Sequence, residues 1–503
     1  MQTLTIALVK RGRYRCTRVM NPSTDPAASP RADRATTALV TLVAAAIYVG
    51  LGQTTLHHND GHRILHLLAR GELDFGRHHL SLPWMHAFHE VFTAPLGLPA
   101  YRSVTLLNAH SSAAAVGLVF SAARISQLPR ASALVAATLF GGCFPVLFFA
   151  TLVEFHGVFL PWVTLSFWLG CRWNRDGGYG WAIAMGAVAG LATQLHSMGV
   201  FASGLFCLLH WAARRDRGRS AKLLESAAGV GAHVAVFLAG TALWQSLGWS
   251  VGAAVDALPR GAALADALID RVPLTLWREF ALPLCPLSLI TAWALTRTEG
   301  RAAAVAVLLA CAPYIALSAL ILGVSEHGAY LAALAAPMSL LATRVVPQKA
   351  LIAITAAAWT CSLWLTWSHD TEGARYRDFA AGFQRLAGAE PALLLYCEDP
   401  VPGADAHVDE LAALRLFAPS TESMRLEGLA AARPADAREQ VVALAAALPA
   451  MQRRAKLLLG RCSYEALRDR YESGPVLLQA IERACRLEPR REIGFDGFEL
   501  LAR

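Results

Sequence analysis

The chain has 503 residues, of which 55% are hydrophobic and 16% charged, with a mean hydropathy of +0.41. Soluble domains carry about a quarter charged residues, so this composition excludes an ordinary soluble enzyme and reads as a multi-pass membrane protein. The formal net charge is +8, and in such a chain its placement matters more than its sum, because Lys and Arg in short loops set orientation. The ten cysteines show no CxxC spacing, so neither a zinc ribbon nor a disulfide framework is written in them. Cys207, Cys311 and Cys361 lie in apolar runs and read as packing residues.

Residues 1–34 are polar and basic (Lys10, Arg11, Arg13, Arg15, Arg18, Arg31, Arg34) and are expected to be a disordered cytoplasmic segment. The apolar piece before Lys10 is too short for a cleaved signal, and Met20 would serve equally as a start. A hydrocarbon core about 30 Å thick needs roughly 20 apolar residues per helix. Eleven runs are predicted to span it: Ala35–Gly52, Val104–Ala123, Ala131–Val153, Gly157–Cys171, Gly180–Leu195, Met198–Ala213, Ala227–Trp249, Phe280–Leu295, Ala302–Leu322, Gly328–Ala342 and Ala350–Trp367. With the amino terminus inside, every inside loop is basic: Arg124 and Arg130; Arg172 and Arg175; Arg214, Arg215, Arg217, Arg219 and Lys222; Arg297 and Arg301; Arg344 and Lys349. That pattern obeys the positive-inside rule loop by loop.

The outside face has different chemistry. Its first loop, 53–102, opens with TTLHHNDGHRILHLLARGEL and continues with FGRHHLSLPWMHAFHEVF. Apolar residues recur there at helical spacing (Ile64, Leu65, Leu68; Trp84, Phe88, Val91), which predicts amphipathic helices at the membrane surface. The outside turns VEFHG (Val153–Gly157), LHSMG (Leu195–Gly199) and VSEHGAY (Val324–Tyr330) follow, with an interfacial segment at Ser250–Glu279. Residues 368–503 read as a small soluble α/β domain on the outside. It has a helix at RYRDFAAGFQRLAG, a buried strand at PALLLYCEDP, and a closing strand or hairpin at EIGFDGFELLAR. Its Cys397, Cys462 and Cys485 leave open whether one pair bridges. The expected fold is thus an all-α polytopic membrane protein of about eleven transmembrane helices, 35–367, with a small C-terminal α/β soluble domain.

Polar groups converge on the outside ends of the spans: Asp60 with His57, His58, His62 and Arg63; Glu154 and His156; His196; Arg278 and Glu279; Glu326, His327 and Tyr330. Each alone has an ordinary explanation, since charged side chains at helix ends reach the interface cheaply. Their collection on one face suggests catalysis at the membrane surface. This layout resembles the type-C (GT-C) integral-membrane glycosyltransferases, which include protein O-mannosyltransferases, aminoarabinose and related lipid A glycosyltransferases and oligosaccharyltransferases. The resemblance covers roughly Ala35–Trp367 and rests on four features. A single span precedes a long outside loop with an early acid (HHNDGHRILHLLARGELDFG). That loop carries surface helices and HHLSLPW. A second turn, VEFHG, leads into an aromatic-rich span, and a late span opens with EHGAYLAALAAP. His327 stands where the family often has Arg, and Glu154-Phe155-His156 stands in place of Asp-x-Asp.

The resemblance implies a sugar donor on a polyprenyl phosphate, transfer with inversion to an acceptor protein, lipid or glycan, and no nucleic-acid partner. It implies Asp60 as general base and Arg63, Arg278, His327 and Tyr330 at the donor phosphate. Glu154, His156, His62, His66, His78 and His79 are then candidates for acceptor or metal binding, with a divalent cation as the cofactor left open. It also implies a multi-pass inner (cytoplasmic) membrane protein whose C-terminal domain is outside. Asp60 has a competing job, capping a helix that starts near His62.

Other readings compete. His62 and His66 are one helical turn apart, suited to a shared metal; the desaturase reading fails because HxxHH is missing and the boxes fall on the outside. The alternatives to a transferase are a membrane transporter or a non-catalytic envelope-glycan assembly protein. Midspan polar residues are few (Asn108, His110, His233, Gln245), and no two halves match, which disfavours a transporter.

Overall fold

A computed structural model of the chain describes residues 30–56, 58–75, 78–214, 217–249, 271–321, 327–397, 413–414, 417–418 and 421–503. Five helices are long and apolar enough to cross a membrane: α1 (Pro30–Gly50), α4 (Ala100–Ile125), α10 (Arg219–Ser246), α12 (Arg301–Ile321) and the first part of α14 (Gln348–Ala387). The expectation of eleven full spans is met only in part, and the breaks have physical causes. The third predicted span is two helices, α5 (Arg130–Gly141) and α6 (Phe144–Ala150), bent by 63°. The fourth and fifth correspond to α7 (His156–Asp176), which ends in charge, and α8 (Tyr179–Leu195). The sixth and tenth are shorter: a 3-10 turn, Ser197–Phe201, with α9 (Ala202–Ala213), and a 3-10 turn, Ala329–Leu331, with α13 (Ala332–Val345). The eighth is corrected. Phe280–Leu295 is not one helix but a π-helical turn (Leu276–Ala281), a turn with a cis Cys285–Pro286 bond, and α11 (Leu287–Ala294). Pro283 and Pro286 supply no backbone N–H to a helical ladder, and residues 282–286 form a turn between the two helical pieces.

A broken helix inside a membrane needs its freed carbonyls satisfied by the protein. The α5–α6 break meets that demand from two directions. Tyr48 at the end of α1 donates to the Gly141 carbonyl at 2.8 Å. From α14, Ser362 Oγ donates to the Gly142 carbonyl at 2.8 Å, and Trp359 Nε1 adds a second bond, at 2.8 Å, to the Thr138 carbonyl that already accepts from the Gly142 N–H. The break is therefore what ties the first and last long helices together.

The two ends of the bundle are distinguishable by contacts. At one, Asp33 at the start of α1 accepts from Arg124 Nε and Arg130 Nη2, both at 3.1 Å. The amino-terminal end of α1 thus shares a face with the α4–α5 connection. At the other, the residues after α1 meet the C-terminal part of the chain. In the loop after α1, α2 (His58–Ala69) buries Ile64, Leu65 and Leu68, as the helical spacing predicts, and α3 (Ser81–Phe88) buries Leu82 and Met85 while Trp84 stays exposed. Most of the predicted interfacial segment Ser250–Glu279 lies outside the described residues, as do residues 1–29.

The C-terminal part is built on α14, which runs 40 residues without a break through the predicted domain boundary. The helix expected at RYRDFAAGFQRLAG is its last third. A five-stranded sheet follows in the order β2-β1-β3-β5-β4, comprising β1 (Ala392–Tyr396), β2 (Glu422–Arg425), β3 (Lys456–Gly460), β4 (Cys485–Glu492) and β5 (Phe495–Ala502). β1 pairs in parallel with β2 and β3. The stretch EIGFDGFELLAR, read as a closing strand or hairpin, holds β5, whose antiparallel partner β4 lies almost wholly before it. Alternation in β1 buries both faces: Leu394 and Tyr396 pack with Phe379, Phe383 and Phe495 under α14, while Leu395 joins the core against α15 (Pro434–Gln452), α16 (Arg461–Asp469) and α17 (Gly474–Ala484).

The two parts are joined by buried polar contacts. Asp370 Oδ1 accepts from the Thr54 N–H at 2.5 Å and from Thr54 Oγ1 at 3.0 Å, Arg377 Nη1 donates to Thr54 Oγ1, and His369 Nδ1 lies 2.6 Å from Gln53 Oε1. Hydrogen bonds to a charged group are each worth about 1.5–3 kcal/mol. Asp370→Ala should therefore lower stability by about 2 kcal/mol, seen as a lower melting temperature of the detergent-solubilised protein; an unchanged melt would remove this junction from the account of how the parts are held.

Candidate functional site

The site begins with the irregular segment 151–155 between α6 and α7. Buried irregular backbone must have its polar groups paired. Asn108, in the middle of α4, does this: its Nδ2 donates to the carbonyls of Leu152 (2.7 Å) and Glu154 (2.8 Å). Gly157 makes room for it, since a Cβ there would sit 2.6 Å or less from the Asn108 side-chain carboxamide. From the other side the Gln53 N–H donates to the Thr151 carbonyl at 2.7 Å, and Leu56 forms a parallel bridge with Val153.

This segment seats the start of α2. A Cβ on Gly61 would lie 2.8 Å from the Val153 carbonyl oxygen, so the helix backbone rests directly on the residue before Glu154. Asp60 is exposed in the first turn of α2. The capping alternative is corrected here: α2 begins at His58, not near His62, so Asp60 is already inside the helix, where the dipole favours its charge. One turn on, the Arg63 guanidinium lies over the Phe75 ring at 4.4 Å, and Phe75 meets Phe155 edge-on at 4.3 Å. Asp60, Arg63 and the Glu154 segment thus share one neighbourhood. His57 and Glu326 lie outside the described residues, as do the side chains of His58, Asn59 and His62. His66 lies with its Nε2 3.4 Å from Arg70 Nη1.

Beneath α2 is a buried polar cluster that sequence distance conceals. Glu154 and His156 are 3% and 5% exposed, with His156 Nδ1 3.5 Å from Glu154 Oε1. His196, at the end of α8, meets the His156 ring at 4.5 Å and the His78 ring, stacked, at 4.4 Å. Tyr330 closes the group, 5.5 Å from both His156 and His196. Burial, reinforced by the neighbouring His78, lowers His156 to about 3. Burial beside His156 carries His196 well below its usual range, and burial lowers His79, against the pull of Asp74. These imidazoles are neutral at physiological pH.

A second group borders the first. Glu279, 3% exposed, accepts from the Gly328 N–H at 3.0 Å through Oε2. That bond fastens the π-helical turn carrying exposed Arg278 to the turn carrying His327 and Tyr330. His327 has φ +50° and packs edge-on against Phe144 (5.8 Å) and Phe148 (5.5 Å), while His369 meets Phe148 at 4.8 Å. Among the described residues no group of three or more His, Cys, Asp or Glu side chains is placed to hold a metal ion. Glu154 and His156, candidates for acceptor or metal binding, lie together in this buried cluster. His196 meets the rings of both His156 and His78. Ahead of the structure, His196 stood only among the outside polar groups, and Asn108 only among midspan polar residues. A carboxamide inside an apolar span was the available signal.

No protein-family model and no curated protein matches the sequence. Solved structures do match the fold. The ArnT of Cupriavidus metallidurans is similar over 93% of this chain and 97% of its own, with TM-scores of 0.57 in its apo state (13% identity) and 0.55 bound to undecaprenyl phosphate (12% identity). The chain has the fold of this GT-C membrane protein. The Archaeoglobus fulgidus oligosaccharyltransferase, in a structure with zinc and sulfate, aligns with 91% of this chain and 72% of its own at 12% identity and a TM-score of 0.44.

The neutral histidines set a pH dependence. Unfolded histidines titrate near 6.5, whereas His156 stays neutral in the fold down to about 3. The unfolded chain therefore binds more protons below pH 6.5, and stability is lost as pH falls through that window. Between pH 7.5 and 5.5, above carboxylate titration, the melting temperature should fall, and less steeply in His156→Gln. An equal slope in both proteins would contradict the buried, neutral assignment.

Proposed function

We propose that the chain is an integral-membrane glycosyltransferase that moves a sugar from a polyprenyl-phosphate donor to an acceptor on the extracytoplasmic face. The observation that carries this reading is the fold shared with ArnT over nearly the full length of both chains, ArnT having been crystallised with undecaprenyl phosphate. The charge pattern supports the orientation, with the amino terminus cytoplasmic in an inner membrane and residues 368–503 outside.

Asp60 is the general base. It is exposed on a turn that is rigidly seated through Gly61, so it can meet an acceptor without leaving the protein. The acceptor O–H or N–H gives its proton to the carboxylate as its lone pair attacks the anomeric carbon. The bond from that carbon to the phosphate oxygen breaks on the opposite side, and the configuration inverts. Arg63 stabilises the charge that gathers on the leaving phosphate, with Arg278, His327 and Tyr330 on the facing turns. The fastening of Arg278 to that turn through Glu279 and Gly328 supports their acting as one unit. The buried Glu154, His156, His78 and His79 shape the acceptor side.

Asp60→Asn keeps the shape and removes the basicity. Sugar transfer from a polyprenyl-phosphate donor should fall by about 10²–10⁴-fold, while the purified variant still binds polyprenyl phosphate. Normal transfer in Asp60→Asn would remove the assignment of the base.

A further inference from the structure

The face opposite the candidate site carries a second built feature. α7 runs from His156 at one end to Asn174 and Arg175 at the other, roughly 27 Å along the helix. There a cavity of about 810 Å³ opens between the α4–α5 connection, the ends of α7, α9 and α13, and the start of α12. Arg175, Arg214 and Arg344 line its mouth, with Glu299 as the acidic member, and Phe167, Leu209 and Leu340 line its wall. A second hollow, of about 650 Å³, continues it and shares Ala212, Thr298 and Ala302. It follows α9 and α12 past Leu208, Trp211 and Val305, from Arg301 to Leu309. Eight helical residues span about 12 Å.

The two hollows have different chemistry. In the first, Arg175 is paired with Asp176 at 2.7 Å, and Arg214 Nη1 donates to the Asn174 carbonyl at 2.8 Å, which fixes the guanidinium at the mouth. Arg301 Nε donates to the Leu295 carbonyl at 2.8 Å, a contact that leaves its charge in place. Arg344 is exposed on the last turn of α13. The second hollow is walled by side chains that face outward from the bundle: Trp211, Val305 and Leu309 are 38%, 42% and 58% exposed. Basic groups at the mouth and an apolar groove running from it along the bundle surface match an amphiphile with a negative head. A soluble anion would leave the groove unused, and a neutral lipid would leave the arginines unused.

We propose that this cleft and groove bind an anionic glycerophospholipid, its phosphate among Arg214, Arg301 and Arg344 and one acyl chain along α9 and α12. The ligand bridges α9, α12 and α13 at the end of the bundle farthest from Asp60, and the inference does not depend on the transfer reaction.

The test is native mass spectrometry of the delipidated full chain in detergent, titrated separately with phosphatidylglycerol, phosphatidylcholine, polyprenyl phosphate and inorganic phosphate. Phosphatidylglycerol should give the most persistent adduct. Arg214→Gln with Arg344→Gln should weaken it roughly tenfold or more, two basic groups being removed from a phosphate. Val305→Trp, an exposed position that fills the groove, should weaken it while leaving both arginines in place. Equal retention of phosphatidylcholine, or phosphatidylglycerol adducts unchanged in both variants, would overturn the proposal. So would displacement of phosphatidylglycerol by inorganic phosphate, which marks a free-anion site. Polyprenyl phosphate held more tightly than phosphatidylglycerol, and released by the arginine substitutions, would overturn it in favour of a carrier-lipid site.

Discussion

The irregular segment 151–155 is the point on which the rest of the site depends, and the Asn108 carboxamide is what holds it. Backbone that is not helical costs several kcal/mol per unsatisfied group in a hydrocarbon setting. Asn108 supplies two hydrogen bonds from one nitrogen, and the Gln53 amide supplies a third. With the segment fixed, the Val153 carbonyl becomes the seat for Gly61, and Glu154 and His156 are presented at the head of α7. Orientation of the proposed base is thus decided by a residue on another helix that bears no charge.

The two faces of the bundle solve their electrostatics differently. At the candidate site the buried groups are largely imidazoles kept neutral by desolvation, so polarity is dense while net charge stays low. Asp60, Arg63 and Arg278 are exposed at the rim, while the carboxyls of Glu154 and Glu279 are buried among the imidazoles and the turns. At the other face Asp33 ties Arg124 and Arg130 to α1. In a low-dielectric site, fixed polar groups interact strongly with charge that develops on a substrate.

The long apolar helices were legible because a membrane span is a local, length-set property: α1, α4, α10, α12 and the start of α14 follow from composition alone. The breaks were not. Whether Gly142 ends a helix depends on Ser362, more than 200 residues away, taking up the freed carbonyl. The helical start at His58 was missed because Asn59-Asp60-Gly61 has turn chemistry, which the tertiary seat on Val153 overrides. The closing strand β5 was readable from its alternation, whereas its partner β4 and the sheet order that puts β3 between β1 and β5 were not. In the site, the outside convergence of Glu154, His156, His196 and Tyr330 could be anticipated from topology. Their ring contacts, and the pairing of Thr54 with Asp370 across the two parts of the chain, required the fold.

The proposed transfer requires Asp60 and its basic neighbours to face the bound phosphate of a lipid-linked sugar. The most direct measurement is an experimental structure of the protein in nanodiscs with a polyprenyl phosphate bound. The account predicts lipid phosphate within hydrogen-bond reach of Arg63, with the Asp60 carboxylate opening onto the same space and Gly61 still seated on Val153. A phosphate bound away from Arg63, with the Asp60 carboxylate turned from it, would contradict the account.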